Sequence, residues 1–450
     1  MRIDFLGGTG TVTGSKYLLT HEGRRLLIDC GLFQGLKQLR LRNWDALPVD
    51  PASIDAVLLT HAHIDHSGFV PRLVQLGFKG RVYCSEATRE LCELLLPDSG
   101  RLQEEDADYA NRHGHSKHRP ALALYTEKEA RAALKRFEVV PFGEECSPWP
   151  GWSWRLRKAG HILGAASVRV GWKSSSLLFS GDLGRSNDLL MRPPEAAEPA
   201  DYVVVESTYG NRKHPAADTL TELASVVNRT AARGGIVLIP AFAVGRAQTL
   251  LHCMRLLKQA RRIPDMPVYL NSPMAADATR LYSRHLDEHR LSPEQCDATS
   301  LKAVIVNSIE ESQRLNSLQF PSVIISASGM ATGGRVLHHL KAYAPDARNT
   351  ILFAGFQAAG TRGASMMSGA DKIKVHGAYI LLRAEVASLE TLSAHADCDE
   401  LLAWLDGLQA PKRVFVTHGE PVAADALRLA IEERHGWPCT VPDYRESQEL

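Results

Sequence analysis

The chain has 450 residues and a formal net charge of +1, so it is too long for one compact core and too neutral to signal a polyanion-binding face by bulk electrostatics. Its eight cysteines are scattered with no C-x-x-C pair, which excludes a disulfide framework or a zinc ribbon and points to a reducing, cytoplasmic setting. No stretch approaches membrane-spanning length, and Met1 to Gly8 reads as a short strand and a glycine turn rather than a signal peptide.

Strands and helices alternate along the chain without repeats, the pattern of an α/β protein. Arg25 to Ile28 reads as a buried strand. The next one, Ala56 to Leu59, runs into His61-Ala62-His63-Ile64-Asp65-His66, four metal-binding side chains within six residues on the loop at a strand's carboxyl end. His61 and His63, two apart in an extended segment, point to one side and at one ion, while a bend after them aims Asp65 and His66 at a second. Helical periodicity follows in 86–96 and 127–137. Between them, Asn111 to Pro120 is the one basic cluster with several histidines, either a grip for a polyanion or a solvated loop.

A two-ion site needs more ligands than one loop supplies, and three later strand ends offer them. His161 stands among the small residues Ala159 to Ser167, before a strand at 168–171. Asp182 follows Leu177-Leu178-Phe179, and a carboxylate with two oxygens can bridge two cations. His418 ends Val414 to Thr417. The two shells are then His61, His63, His161 and Asp182 for one ion, and Asp65, His66, Asp182 and His418 for the other. Imidazoles outnumber carboxylates, which favours two zinc ions per chain, with manganese as the alternative.

Further strands are expected at 202–205 and 235–239, and helices at 246–257 and 397–405. Three glycine-containing turns, at 240–246, 326–335 and 355–363, offer backbone donors and hydroxyls suited to phosphate. The second lies between a strand at 323–325 and helical 336–340, so Ser328, Gly329, Thr332 and Gly333 sit at a helix amino terminus. Arg246 and Arg362 are candidate clamps. The turns lack a Walker lysine and a G-x-G-x-x-G run, which argues against a nucleoside triphosphate or dinucleotide. Aromatic residues are too sparse for a stacking platform to be argued from spacing.

The H-x-H-x-D-H run at 61–66 together with His161 and Asp182 resembles the metallo-β-lactamase-fold hydrolases of the β-CASP nuclease branch. Three further signatures of that branch match: Glu206 closing Val203-Val204-Val205, the Ser-Ala-His-Ala-Asp segment Ser393 to Asp397, and the last histidine, His418. The resemblance implies an αββα metallo-β-lactamase sandwich with an inserted α/β β-CASP cap: residues 1–210 and 371–450 for the sandwich, 211–370 for the cap. A histidine at the last position is similar to the mark of RNA-processing members. The activity so implied is a zinc-dependent ribonuclease cutting single-stranded RNA internally, with 5′ exonuclease action and a homodimer left open. His395 is the general acid by analogy, Glu206 its hydrogen-bond partner, and Asp65 both ligand and orienter of the attacking water. The competing reading is a lactam- or thioester-type hydrolase on the same ions, against which the cap-sized insert and the Glu206, His395 pair argue.

Overall fold

The computed structural model describes residues 1–114, 118–296 and 303–450. The chain divides into two compact units, one of Met1–Lys213 with His395–Leu450 and one of His214–Ala394.

The first unit is built on two seven-stranded sheets. One orders Ser447–Glu449, Arg2–Gly7, Lys16–His21, Arg24–Ile28, Ala56–Leu58, Arg81–Cys84 and Phe137–Val139 side by side. The other orders Cys439–Thr440, Arg413–Thr417, Tyr202–Glu206, Ser175–Phe179, Ala166–Trp172, Trp152–Lys158 and Glu145–Cys146. One apolar cluster joins them, with Phe5, Leu26, Ile28 and Leu58 from the first sheet meeting Trp154, Val168, Phe179, Val204 and Phe415 from the second. Leu27, on the opposite face of its strand from Leu26 and Ile28, is also buried. Strands covered on both faces lose the alternation that a half-exposed strand would show, which is why these runs read as continuous apolar stretches. Helices Glu86–His113 and Glu127–Leu134 pack together beside the first sheet, and Pro421–His435 packs on Arg413–Thr417 in the second.

The second unit carries a six-stranded sheet in which every pairing is parallel: Val304–Ile305, Val268–Asn271, Ser322–Ser326, Ile236–Pro240, Thr350–Phe353 and Glu385–Ser388. A separate hairpin pairs Lys372–Val375 with Ala378–Leu381. The expected return to the sandwich at residue 371 is corrected by these pairings. Glu385–Ser388 adds to the cap sheet beside Thr350–Phe353, and Ile373 and Val375 of the hairpin belong to the cap's apolar core, so the chain leaves this unit only after Ala394.

Two helix boundaries also differ from the periodicity. The helix beginning at Glu86 continues through Pro97 to His113, and Phe137, read as a helix end, opens a strand against Arg81–Cys84. No helix among the described residues is long and apolar enough to cross a membrane.

Candidate metal centre

The histidine-rich loop is fixed from both ends. The side chain of Asp29, at the end of the neighbouring strand, accepts from Thr60 N at 2.7 Å and from Thr60 Oγ1 at 2.9 Å. After His63 the chain turns into the short helix Ile64–Ser67, and Ser67 Oγ donates back to the Ala62 carbonyl at 2.8 Å. That turn is the bend which separates His61 and His63 from Asp65 and His66. Gly31 makes room for it, because a Cβ there would lie 1.6 Å from the Asp65 carbonyl oxygen.

Three distant segments converge on this loop, each from a strand end. His161 follows Gly160, which has φ +70° and no room for a side chain against the Arg192 carbonyl. Asp182 follows Ser175–Phe179, and His418 follows Arg413–Thr417 with its N–H donating to the Gly8 carbonyl at 2.6 Å.

The side chains form two groups. In the first, His61 Nε2 and His161 Nε2 lie 3.1 and 3.2 Å from His63 Nδ1, and 3.5 and 3.7 Å from Asp182 Oδ2. A tetrahedral ion with bonds of ~2.0–2.1 Å separates its ligand atoms by about 3.3 Å, so this spacing suits one divalent cation. In the second group, His66 Nε2 stands 3.1 Å from His418 Nε2, and Asp65 Oδ2 stands 3.4 Å from His418 Nε2. The other oxygen of Asp182, Oδ1, is 3.3 Å from His66 Nε2. Asp182 thus turns one oxygen to each group. Both oxygens are buried and make no hydrogen bond, an arrangement that is costly unless a cation satisfies them. The donor set therefore fits divalent metal.

The imidazoles differ in their electrostatics. Burial, reinforced by the other imidazoles, holds His61 well below its ordinary value and His63 at about 4, so both are neutral donors at physiological pH. Burial also opposes charge on His66, but Asp182 and Asp29 outweigh it and raise that imidazole well above 6.5. Asp182, despite burial, is held well below the usual carboxylate range by His418, His66 and His61. Asp65 is lowered likewise, burial being overcome by the hydrogen bond from His418.

Beside the first group, His395 Nδ1 lies 3.1 and 3.2 Å from the two oxygens of Glu206. Burial disfavours its charge, yet Glu206 more than compensates and its pKa is raised. The Glu206 carboxylate is itself pinned by Leu183 N at 2.7 Å, and the His395 ring packs 4.4 Å from that of His161. With its side chain 17% exposed, His395 is reachable from solvent where Glu206 is not.

Sequence reasoning missed the groups behind the ligands. Asp29 Oδ2 meets His66 Nδ1 at 2.7 Å, Thr60 Oγ1 meets His61 Nδ1 at 3.1 Å, and Thr208 Oγ1 meets His418 Nδ1 at 3.2 Å. Such partners orient a ring and fix which nitrogen carries its proton. The signal for Asp29 was present, since it ends an apolar strand as Asp182 and Glu206 do.

The residues expected to hold phosphate all lie in the second unit. Ser328 and Thr332 share a hydroxyl contact at 3.0 Å, and Gly333 has open space around it. Gly329 is closed in, with a Cβ position 2.7 Å from the Phe242 ring, and Arg246 is buried against Gly355. The Arg362 guanidinium donates through Nε to the Lys374 carbonyl at 2.6 Å and through one terminal nitrogen to the carbonyls of Ala331 and Thr332 at 2.9 and 3.0 Å, which ties the turn to the hairpin strand. In the basic cluster, Asn111 holds Ala121 by two hydrogen bonds and His113 stacks on Tyr109; 115–117 fall outside the described residues.

Three family models match the chain: the Metallo-beta-lactamase superfamily over residues 9–231, the Beta-Casp domain over 247–366, and the Zn-dependent metallo-hydrolase RNA specificity domain over 379–442. The chain is similar to Ribonuclease TTHA0252 of Thermus thermophilus, 37% identical with 93% of each chain covered. It is also similar to the transcription termination factor FttA of Methanocaldococcus jannaschii, 32% identical over 93% of this chain and 67% of that one. A crystal structure of a protein of unknown function from Enterococcus faecalis V583 shares the fold at TM-score 0.53 and 13% identity, over 100% of this chain and 99% of the other.

Proposed function

The chain belongs to the β-CASP branch of the metallo-β-lactamase superfamily, and from that premise we propose that it is a zinc-dependent ribonuclease cutting single-stranded RNA internally. The observation that carries the reading is the combination of a buried, hydrogen-bond-free carboxylate between two imidazole groups with a separate His395, Glu206 pair beside it. Two divalent cations bound there supply Lewis acidity to a phosphodiester oxygen and lower the pKa of water toward neutrality.

The protein's own groups do the rest. Asp65, with its second carboxylate oxygen free of His418, orients the attacking water and takes its proton. Glu206 accepts from His395 Nδ1–H and keeps the ring charged, leaving Nε2–H to protonate the departing 3′ oxygen. A thiolate leaves a thioester without a proton, whereas the departing 3′ oxygen of a phosphodiester needs one, so this pair favours RNA over a thioester. The 37% identity to a protein named a ribonuclease supports the same choice. Eight scattered cysteines without a C-x-x-C pair are in keeping with a cytoplasmic enzyme, and a homodimer is read by sedimentation.

Purified protein loaded with zinc, incubated with 5′-labelled single-stranded and duplex RNAs, should release internal fragments from the former. Two zinc equivalents per chain are expected at saturation. Turnover of β-lactams or thioesters with RNA left intact would overturn the reading.

A further inference from the structure

The hairpin of the second unit presents a surface that no step above uses. Its two strands pair in register, Lys372 with Leu381 and Lys374 with Tyr379. Side chains alternate across a strand, so one face carries Ile373, Val375 and Ile380 into the unit's apolar core while the other carries Lys372, Lys374, Tyr379 and Leu381 to solvent. Tyr379 is 67% exposed and Leu381 52%. The ammonium groups of Lys372 and Lys374 lie 5.5 and 6.0 Å from the Tyr379 ring centroid. At the tip, His376 and Gly377 both have positive φ, the backbone of a tight two-residue turn, and the His376 ring packs 4.7 Å from His338 on helix Val336–Tyr343. The platform is therefore backed by core and braced at its end.

An aromatic ring exposed beside two cations of the neighbouring strand suits a ligand with a flat π face and adjacent negative charge. Two lysines two residues apart on one strand stand about 6.7 Å from each other, comparable to successive phosphates of an extended single strand. Over 371–383 the cations Lys372, Lys374 and Arg383 face one carboxylate, Asp371, so a second copy of the same face would be repelled. We infer that this hairpin face binds single-stranded RNA, a base stacking on Tyr379 and its neighbouring phosphates paired with Lys372 and Lys374. The inference rests on the ribonuclease reading for the identity of the strand and adds a binding element outside the metal centre.

The test uses the full chain and a fluorescein-labelled, unstructured oligoribonucleotide. Affinity is read by anisotropy on chelator-treated protein, where no cleavage intrudes, and KM and kcat are read on zinc-loaded protein. Tyr379→Ala should weaken binding roughly 5- to 150-fold, the usual worth of one stacked base, and raise KM with kcat unchanged, while Tyr379→Phe keeps near-parental affinity. Lys372→Ala with Lys374→Ala should lower the slope of log affinity against log salt by about 1.4, the loss of two phosphate contacts on a single strand. These residues are exposed, so melting temperatures should match the parent's. A Tyr379→Ala chain that binds and cleaves as the parent does overturns the inference, and if that chain also loses self-association in sedimentation, the face is a protein interface. A parent that binds RNA without cutting it overturns the ribonuclease reading while the hairpin variants still report on this one. A parent that does not bind RNA overturns both.

Discussion

Replacing Asp29 by Asn tests whether the group behind the ligands controls the metal centre. The carboxylate now accepts three hydrogen bonds: Thr60 N on Oδ1, and Thr60 Oγ1 and His66 Nδ1 on Oδ2, at 2.7, 2.9 and 2.7 Å. Asparagine keeps the size but turns one acceptor into a donor. If its oxygen stays on His66, its amide faces the Thr60 N–H, donor against donor. If it flips, the amide faces His66 Nδ1, which must then accept, and the ring proton moves to Nε2, the atom that meets His418 and Asp182. Either outcome costs the second group its ligand geometry. Disrupting such a partner is worth roughly 10- to 100-fold in metal affinity, or about 1.4–2.7 kcal/mol. Zinc titration of chelator-stripped protein should therefore find one site weakened by that factor and the other nearly parental, with the melting temperature of the metal-free protein recorded beside it. Parental affinity at both sites, or a loss confined to the His61, His63, His161 group, would refute the reasoning.

Other perturbations have defined signs. Glu206→Gln removes the charge that raises the His395 pKa; the acid form is then lost at lower pH, so the basic limb of the pH–rate profile should shift to lower pH, with zinc content unchanged. His395→Ala should slow RNA cleavage by roughly two to four orders of magnitude at full metal occupancy, whereas His418→Ala should loosen zinc. Lys16 is fully buried, its ammonium donating to the Gly31 and Gly14 carbonyls beside the rings of Phe33 and Phe69, and burial lowers its pKa from 10.5 to about 8. The unfolded chain binds the extra proton between those values, so this residue adds stability as pH rises through the window, by about 3 kcal/mol at ~1.36 per pH unit. Urea melts of the parent and Lys16→Met should differ with that pH dependence; a constant difference from pH 7 to 11 would sink it. Gly31→Ala should destabilise by at least the ~1–3 kcal/mol of ordinary overpacking, since the Asp65 carbonyl has nowhere to move, while Gly333→Ala, with open space around it, should melt as the parent does.

The sequence by itself offered the candidate ligands. His61 to His66 sit beside one another in the chain, and Asp182 and His418 each end an apolar run, so a rule about strand ends collects them, whereas Glu206 came with the resemblance to the β-CASP nucleases. The same rule applied to Leu26-Leu27-Ile28 would have reached Asp29. What it could not supply was pairing between segments hundreds of residues apart. Which oxygen of Asp182 faces which imidazole, that Glu206 meets His395 across 189 positions, and that Thr208 backs His418 depend on the order of strands in the second sheet. The cap's end was misplaced for a related reason. Residues 371–394 are too short and mixed in character to declare their sheet, and only the parallel register of Glu385–Ser388 on Thr350–Phe353 assigns them. Arg362 and Tyr379 make the contrast at single residues. An arginine after a glycine turn reads as a phosphate clamp and donates to three carbonyls, and Tyr379 in an aromatic-poor chain becomes a platform once the hairpin register sets two lysines on the strand beside it. Local chemistry is written along the chain, whereas partners come from tertiary contacts that bring distant segments to the same few ångströms.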